Sequence, residues 1–132
     1  MSIELDIPEF PYEEPPRGIT CGQEPWNGVL LMVDRIPFRT GDTVTFHVTV
    51  HSDGSGRIVA AQTQGVVSIS ADTTSVGWTI PWAGVLDTVS QGSISAFYTL
   101  APADGSAPST SQEAIVLYSR QRPDGTVCGP DN

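Results

Sequence analysis

The segment DTVTFHVTVH, residues 42–51, alternates apolar and polar side chains without a break. Val44, Phe46, Val48 and Val50 fall on one side of an extended chain. Thr43, Thr45, His47 and Thr49 fall on the other. Only a strand with one buried face uses such a pattern, because side chains alternate across a strand with period two. The same alternation returns in VGWTI, with Val76, Trp78 and Ile80 on one face and Trp82 continuing it beyond Pro81. It returns again in SISAFYTL, with Ile94, Ala96, Tyr98 and Leu100 together. GVLLMVD, RIVAAQ, GVVSIS and AIVLYS are further short apolar runs, separated by Gly, Asp, Ser and Pro. No long 3.6-residue period appears.

The expectation is an all-β chain, an antiparallel sandwich of about seven strands. Val44, Phe46, Val48, Ile80, Ile94, Tyr98 and Leu117 are its expected core. Asp53-Gly54 is expected to turn the chain between two strands, as Asp-Gly pairs do where φ is positive. At 132 residues, one domain buries enough surface to hold such a core without a metal or a disulfide.

Residues 1–27 differ from the rest. They contain five of the 11 prolines, with six acidic side chains and one arginine, a net charge of −5. Proline fixes φ and removes a hydrogen-bond donor, so an extended arm is expected here. Phe10, Tyr12, Pro15, Pro16 and Trp26 are its candidate partner-binding residues, since aromatic anchors dominate interfaces. The arm can lie on its own domain, covering a sheet edge, or on a neighbour. The expected organisation is the arm at 1–27, a sandwich domain at 28–119 and an extension at 120–132.

The net charge of −9, with six arginines and no lysine, disfavours nucleic acid as a partner. The longest apolar run, Val29 to Val33, is too short to insert in a membrane as a helix. The start, MSIELDIPEF, lacks the basic and apolar regions of a signal peptide. Cys21 and Cys128 are therefore expected as free thiols of a reducing cytosol, with a disulfide between them as the alternative.

No catalytic constellation emerges. His47 and His51 are four apart, which on a strand is about 13 Å and not a metal pair. Both are expected on the solvent side or at the strand end. The aspartates cluster in turns, and no serine sits in a nucleophile elbow. No cofactor, metal site or enzymatic activity is expected. Trp82, at a strand end, is the candidate platform for stacking a sugar.

IPFRTGDTVTFHVTV, TIPWAGVL and SISAFYTLAPADGSAPSTSQEAIVLYS together resemble the immunoglobulin-like repeat units of large bacterial surface and secreted proteins. The matching features are Gly41-Asp42 ahead of a long strand, Ile80-Pro81 closing a later one, Tyr98-Thr99, and Ser109 to Ser111 before Ile115. The resemblance spans roughly residues 33–119 and leaves out the arm and the cysteine tail. It implies an immunoglobulin-like fold. Those units sit in tandem in exported proteins, whereas a lone unit without an export signal is similar to the immunoglobulin-like domains of bacteriophage particles. That implies a virion accessory protein, made in the host cytoplasm, which decorates a capsid or tail by binding a protein lattice or neighbouring subunits, including copies of itself. The alternative is a carbohydrate-binding or adhesin module of a bacterial surface.

Overall fold

The computed structural model describes residues 7–11, 18–34 and 36–130. The chain is mostly strand, and its named strands pair antiparallel. In order they are β1 (Val29–Val33), β2 (Thr43–His51), β3 (Val59–Ser68), β4 (Val76–Ile80), β5 (Gln91–Ala101), β6 (Ser109–Thr110) and β7 (Ala114–Ser119). Short 3-10 turns cover Cys21–Gln23, Pro25–Asn27 and Leu86–Thr88. The larger sheet has the order β3-β2-β5, with β6 and β7 both pairing with β5. β1 and β4 form a separate two-stranded sheet.

The alternating face of β2 supplies the middle of the core. Val44, Phe46, Val48 and Val50 are all buried, as are Ile80, Ile94, Tyr98 and Leu100. The two-stranded sheet packs on this face through Trp78 of β4, whose ring stacks with Phe46 at 6.2 Å between centroids. Gly65 of β3 makes room for it. A Cβ at that position would collide with the indole of Trp78. Glycine inside a strand marks such close approaches.

Four sequence expectations are corrected. RIVAAQ and GVVSIS belong to one continuous strand, β3, which runs through Gly65. Leu117 is not in the core; it is 51% exposed. Both faces of AIVLYS are apolar, so the pattern carries no phase. Tyr118 takes the interior instead, where its hydroxyl donates to the Leu86 carbonyl at 2.7 Å. His51 is buried, not on the solvent side. The register shift there adds its extra residue, Ala60, to β3 and leaves His51 in phase opposite Ser93, so it is the overlying β2–β3 connection that covers the ring, with Gly56 against it. Finally, the positive φ of the β2–β3 connection falls at Gly56, not at Gly54.

The described parts of the 1–27 segment lie along strand edges. Glu9 exchanges backbone hydrogen bonds with Met32 of β1 at 2.7 and 2.8 Å. Ile19 pairs in parallel with Tyr118, accepting from Ser119 and donating to Leu117, each at 2.9 Å. The tail folds back as well, with Gln121 bridging Val127 and the Cys128 N–H donating to the Arg120 carbonyl at 2.8 Å.

Candidate interaction surface

The second face of the larger sheet points away from the core. Its rows follow from the register. Val66, Thr45, Thr99 and Thr110 lie side by side, then Gln64, His47 and Phe97. Next come Gln62, Thr49, Ser95 and Ile115, and then His51, Ser93 and Leu117. None of the strands in this sheet contains an Asp, Glu, Lys or Arg. In a chain of net charge −9, all 15 acidic and six basic side chains belong to residues outside these strands.

The centre of the face is aromatic. The His47 imidazole and the Phe97 ring stack with centroids 4.6 Å apart and planes 15° from parallel. Both are half-buried. Around them the threonines and glutamines offer hydroxyl and amide groups, and Val66, Ile115 and Leu117 stand more than half exposed at the margins. Solvated faces of antiparallel sheets are ordinarily polar. Apolar margins around an uncharged, aromatic centre depart from that rule.

The loop between β2 and β3 covers one end of this face. The Asp53 carboxylate accepts from the Ile58 N–H at 2.8 Å, from the Arg57 N–H at 3.0 Å and from the Ser55 hydroxyl. The Ser55 bond, followed by the Ile58 N–H, holds the Asp53 carboxyl far below the usual carboxylate range. The Asp53 carbonyl accepts from the Ser93 hydroxyl at 2.8 Å, which ties the loop down onto β5. Gly56 then passes so close that a Cβ there would meet Ile115 at 3.1 Å and the His51 ring at 3.8 Å. Beneath the loop, His51 Nε2 shares a 2.9 Å hydrogen bond with the Ser95 hydroxyl. His51 Nδ1 has no hydrogen-bond partner among the described residues. Three further loop aspartates are held low, each chiefly by a neighbour's hydrogen bonds: Asp72 by Thr40, Asp104 by Ser106, Asp124 by Thr126.

Among the described residues, those singled out from the sequence do not assemble into one site. Phe10, a candidate anchor for a partner, is 5% exposed and packs in this chain's own core. It is apolar and sits beside the Glu9–Met32 pairing, so its own domain captures it. Tyr12, Pro15 and Pro16 lie outside the described residues. Trp26 is half-buried in the 3-10 turn Pro25–Asn27, which packs against Leu86–Thr88. Trp82 is half-buried, and the Arg120 guanidinium lies 4.7 Å from its ring centroid, covering one face of the proposed platform. Arg120 is itself held by the carbonyls of Val89, at 2.7 and 3.1 Å, and Cys128, at 3.0 Å. Cys21 and Cys128 are not free thiols: they form a disulfide, with Cα atoms 6.1 Å apart. The arm–β7 pairing and the folded-back tail bring the two together.

Among the described residues, no three His, Cys, Asp or Glu side chains gather as a metal would need. None of the described helices is long and apolar enough to cross a membrane. Described residues line two shallow depressions. One, of about 530 Å³, lies beside Cys21 and Arg122. The other, of about 540 Å³, lies between Ile7–Pro11 and Glu113–Val116. The sequence reading passed over Phe97. Its signal was present, because the alternation that buries Ala96 and Tyr98 must turn Phe97 outward among Ser and Thr. No protein-family model, curated protein or solved structure matches the chain.

Proposed function

We propose that the chain is a non-enzymatic interaction module with an immunoglobulin-like β-sandwich, serving as a phage-particle accessory that decorates a capsid or tail by binding a protein lattice. The observation that carries this reading is the charge-free outward face of the larger sheet, with the His47–Phe97 stack at its centre. Interface centres are depleted of charge and enriched in aromatics. The face lies on a rigid sheet, which supports docking without ordering cost. The Cys21–Cys128 disulfide supports a working life outside a reducing cytosol, as on a released particle. The lattice contact thus belongs to the sheet face, and not to Phe10 of the arm.

Cosedimentation with purified phage particles of the strain that encodes the chain tests this reading. Envelope fragments serve in parallel. Wild-type protein should pellet with particles, and Phe97→Glu, which puts a charge into the face, should not. If Phe97→Glu pellets as the wild type does, the face is wrong.

A second reading rests on the same stack. The stacked His47 and Phe97 rings, with the Gln64 amide next to His47 in the same row, are chemistry that holds a sugar, and they favour a bacterial-surface carbohydrate module centred on Phe97, not on Trp82. Pelleting with envelope and not with particles, abolished by excess soluble glycan, would select it.

A further inference from the structure

The edges of the sheets are treated unequally. The outer edge of β1 is paired by Glu9, and that of β7 by Ile19. β3 forms the other end of the larger sheet, and among the described residues it pairs with β2 alone. It is ten residues long, contains no charge and no proline, and leaves Val59 and Val66 more than half exposed. Natural edge strands are ordinarily blunted by charge, proline or brevity, because an open edge is a template for another strand.

The open groups can be assigned. Ile69 donates its N–H to the Asp42 carbonyl at 2.9 Å. Backbone groups alternate in direction along a strand, so Val67, Gly65 and Thr63 also face β2. Gln62, Gln64 and Val66 then direct their N–H and C=O groups away from the sheet.

We propose that this edge is a self-association surface, on which a second copy of the chain adds its own β3 antiparallel across a two-fold axis. The two larger sheets then become one continuous sheet. A second copy fits better than another partner for two reasons. An antiparallel strand is self-complementary, as an isologous contact requires. Each copy also carries 15 acidic side chains, and none lies on β3, so two copies can meet here without placing acid against acid. The register with Thr63 on the axis sets Gln62 opposite Gln64 of the second copy, where the amides can pair.

Sedimentation equilibrium of the full chain tests this. The wild type should be a dimer that dissociates on dilution. Gln64→Pro removes one edge-facing N–H without touching the β2 ladder, a place where edge strands tolerate proline, and should give a folded monomer. The double variant Gln62→Lys/Gln64→Lys opposes like charges and should weaken the dimer by about tenfold or more. Gln62→Lys/Gln64→Glu opposes unlike charges in this register and should keep the dimer, with a new sensitivity to salt. Phe97→Glu should leave it unchanged, which separates this surface from the lattice-binding face. A wild type that stays monomeric at every concentration overturns the proposal. So does a dimer that survives both Gln64→Pro and the double lysine. If the Lys/Glu variant is as weak as the Lys/Lys one, the register is wrong.

Discussion

The indole of Trp78 lies directly on the backbone of Gly65, where a Cβ would occupy the same space as the ring. This contact fixes how the two-stranded sheet sits on the larger one, because the same indole stacks on Phe46, which in turn touches Tyr98 with ring centroids 6.1 Å apart. Gly65→Ala should therefore destabilise the fold by about 1–3 kcal/mol or more, as overpacking does. Phe46→Ala should cost about 3–5 kcal/mol, with Thr45→Ala close to neutral. Chemical denaturation of the three variants checks the order. In a double-mutant cycle Gly65→Ala and Trp78→Phe should be strongly non-additive, since the smaller ring relieves the clash. Additive costs would mean that the contact is not what positions β4.

How much of this was legible in the sequence depends on whether the two faces of a strand differ. In β2 they do, valine and phenylalanine against threonine and histidine, and the inward set can be read directly. In β7 both faces are apolar, so Leu117 could not be told from Tyr118 without knowing that the Leu86 carbonyl waits for a hydroxyl inside. His51 keeps the outward phase of β2, and the Asp53 loop, which the alternation does not reveal, closes over it. The disulfide joins residues 107 apart, and their meeting depends on an arm and a tail that have no periodicity. The interaction face was legible in part. Thr45, His47 and Thr49 were read as outward, but the charge-free sheet emerges only once β3, β5 and β7 are placed beside β2.

Burial pushes the Tyr118 phenol up to about 12, only partly offset by Arg120. An unfolded tyrosine titrates near 10. A group whose folded pKa is raised contributes stability that is complete below the unfolded value and is lost above it. Tyr118 should thus contribute a pH-dependent ~2–3 kcal/mol that is present below about pH 10 and disappears between pH 10 and 12. Tyr118→Phe should lower stability at neutral pH, since it leaves the Leu86 carbonyl unpaired. Its stability should then fall less steeply over pH 10–12 than that of the wild type. Denaturation midpoints across this range decide it, and parallel curves for the two proteins would refute the assignment.

The Cys21–Cys128 disulfide closes nearly the whole chain. A loop of that length restricts the unfolded ensemble by ~4–5 kcal/mol in the chain-entropy account. Cys21→Ser/Cys128→Ser should lower the denaturation free energy by an amount of this order, and reduction of the wild type should do the same. Because Ile19 pairs with β7, the arm should loosen first. Amide exchange at Ile19 and Ser119 should speed up on reduction before exchange in β2 does. Uniform acceleration across both would show that the bridge supports the whole fold and not this junction.

Asp53 organises the loop that shields His51. Its carboxylate gathers the Arg57 and Ile58 N–H groups and the Ser55 hydroxyl, and these bonds depress its pKa. A carboxyl lowered in the folded state contributes stability above its unfolded value, near 4, which is lost as the pH falls through the folded one. The loop should therefore stay closed from neutral pH down to about pH 4 and loosen only below it. In Asp53→Ala it should be loose throughout, because the two N–H groups and the Ser93 tether lose their organising turn. Hydrogen exchange at Arg57 and Ile58, corrected for intrinsic rates, reads the loop. Chemical modification of the His51 imidazole reads the shield. Both should rise together in Asp53→Ala at pH 7 while exchange in the middle of β2 is unchanged. If His51 stays protected in that variant, its burial does not depend on the Asp53 turn, and the loop has no hold on that end of the interaction face.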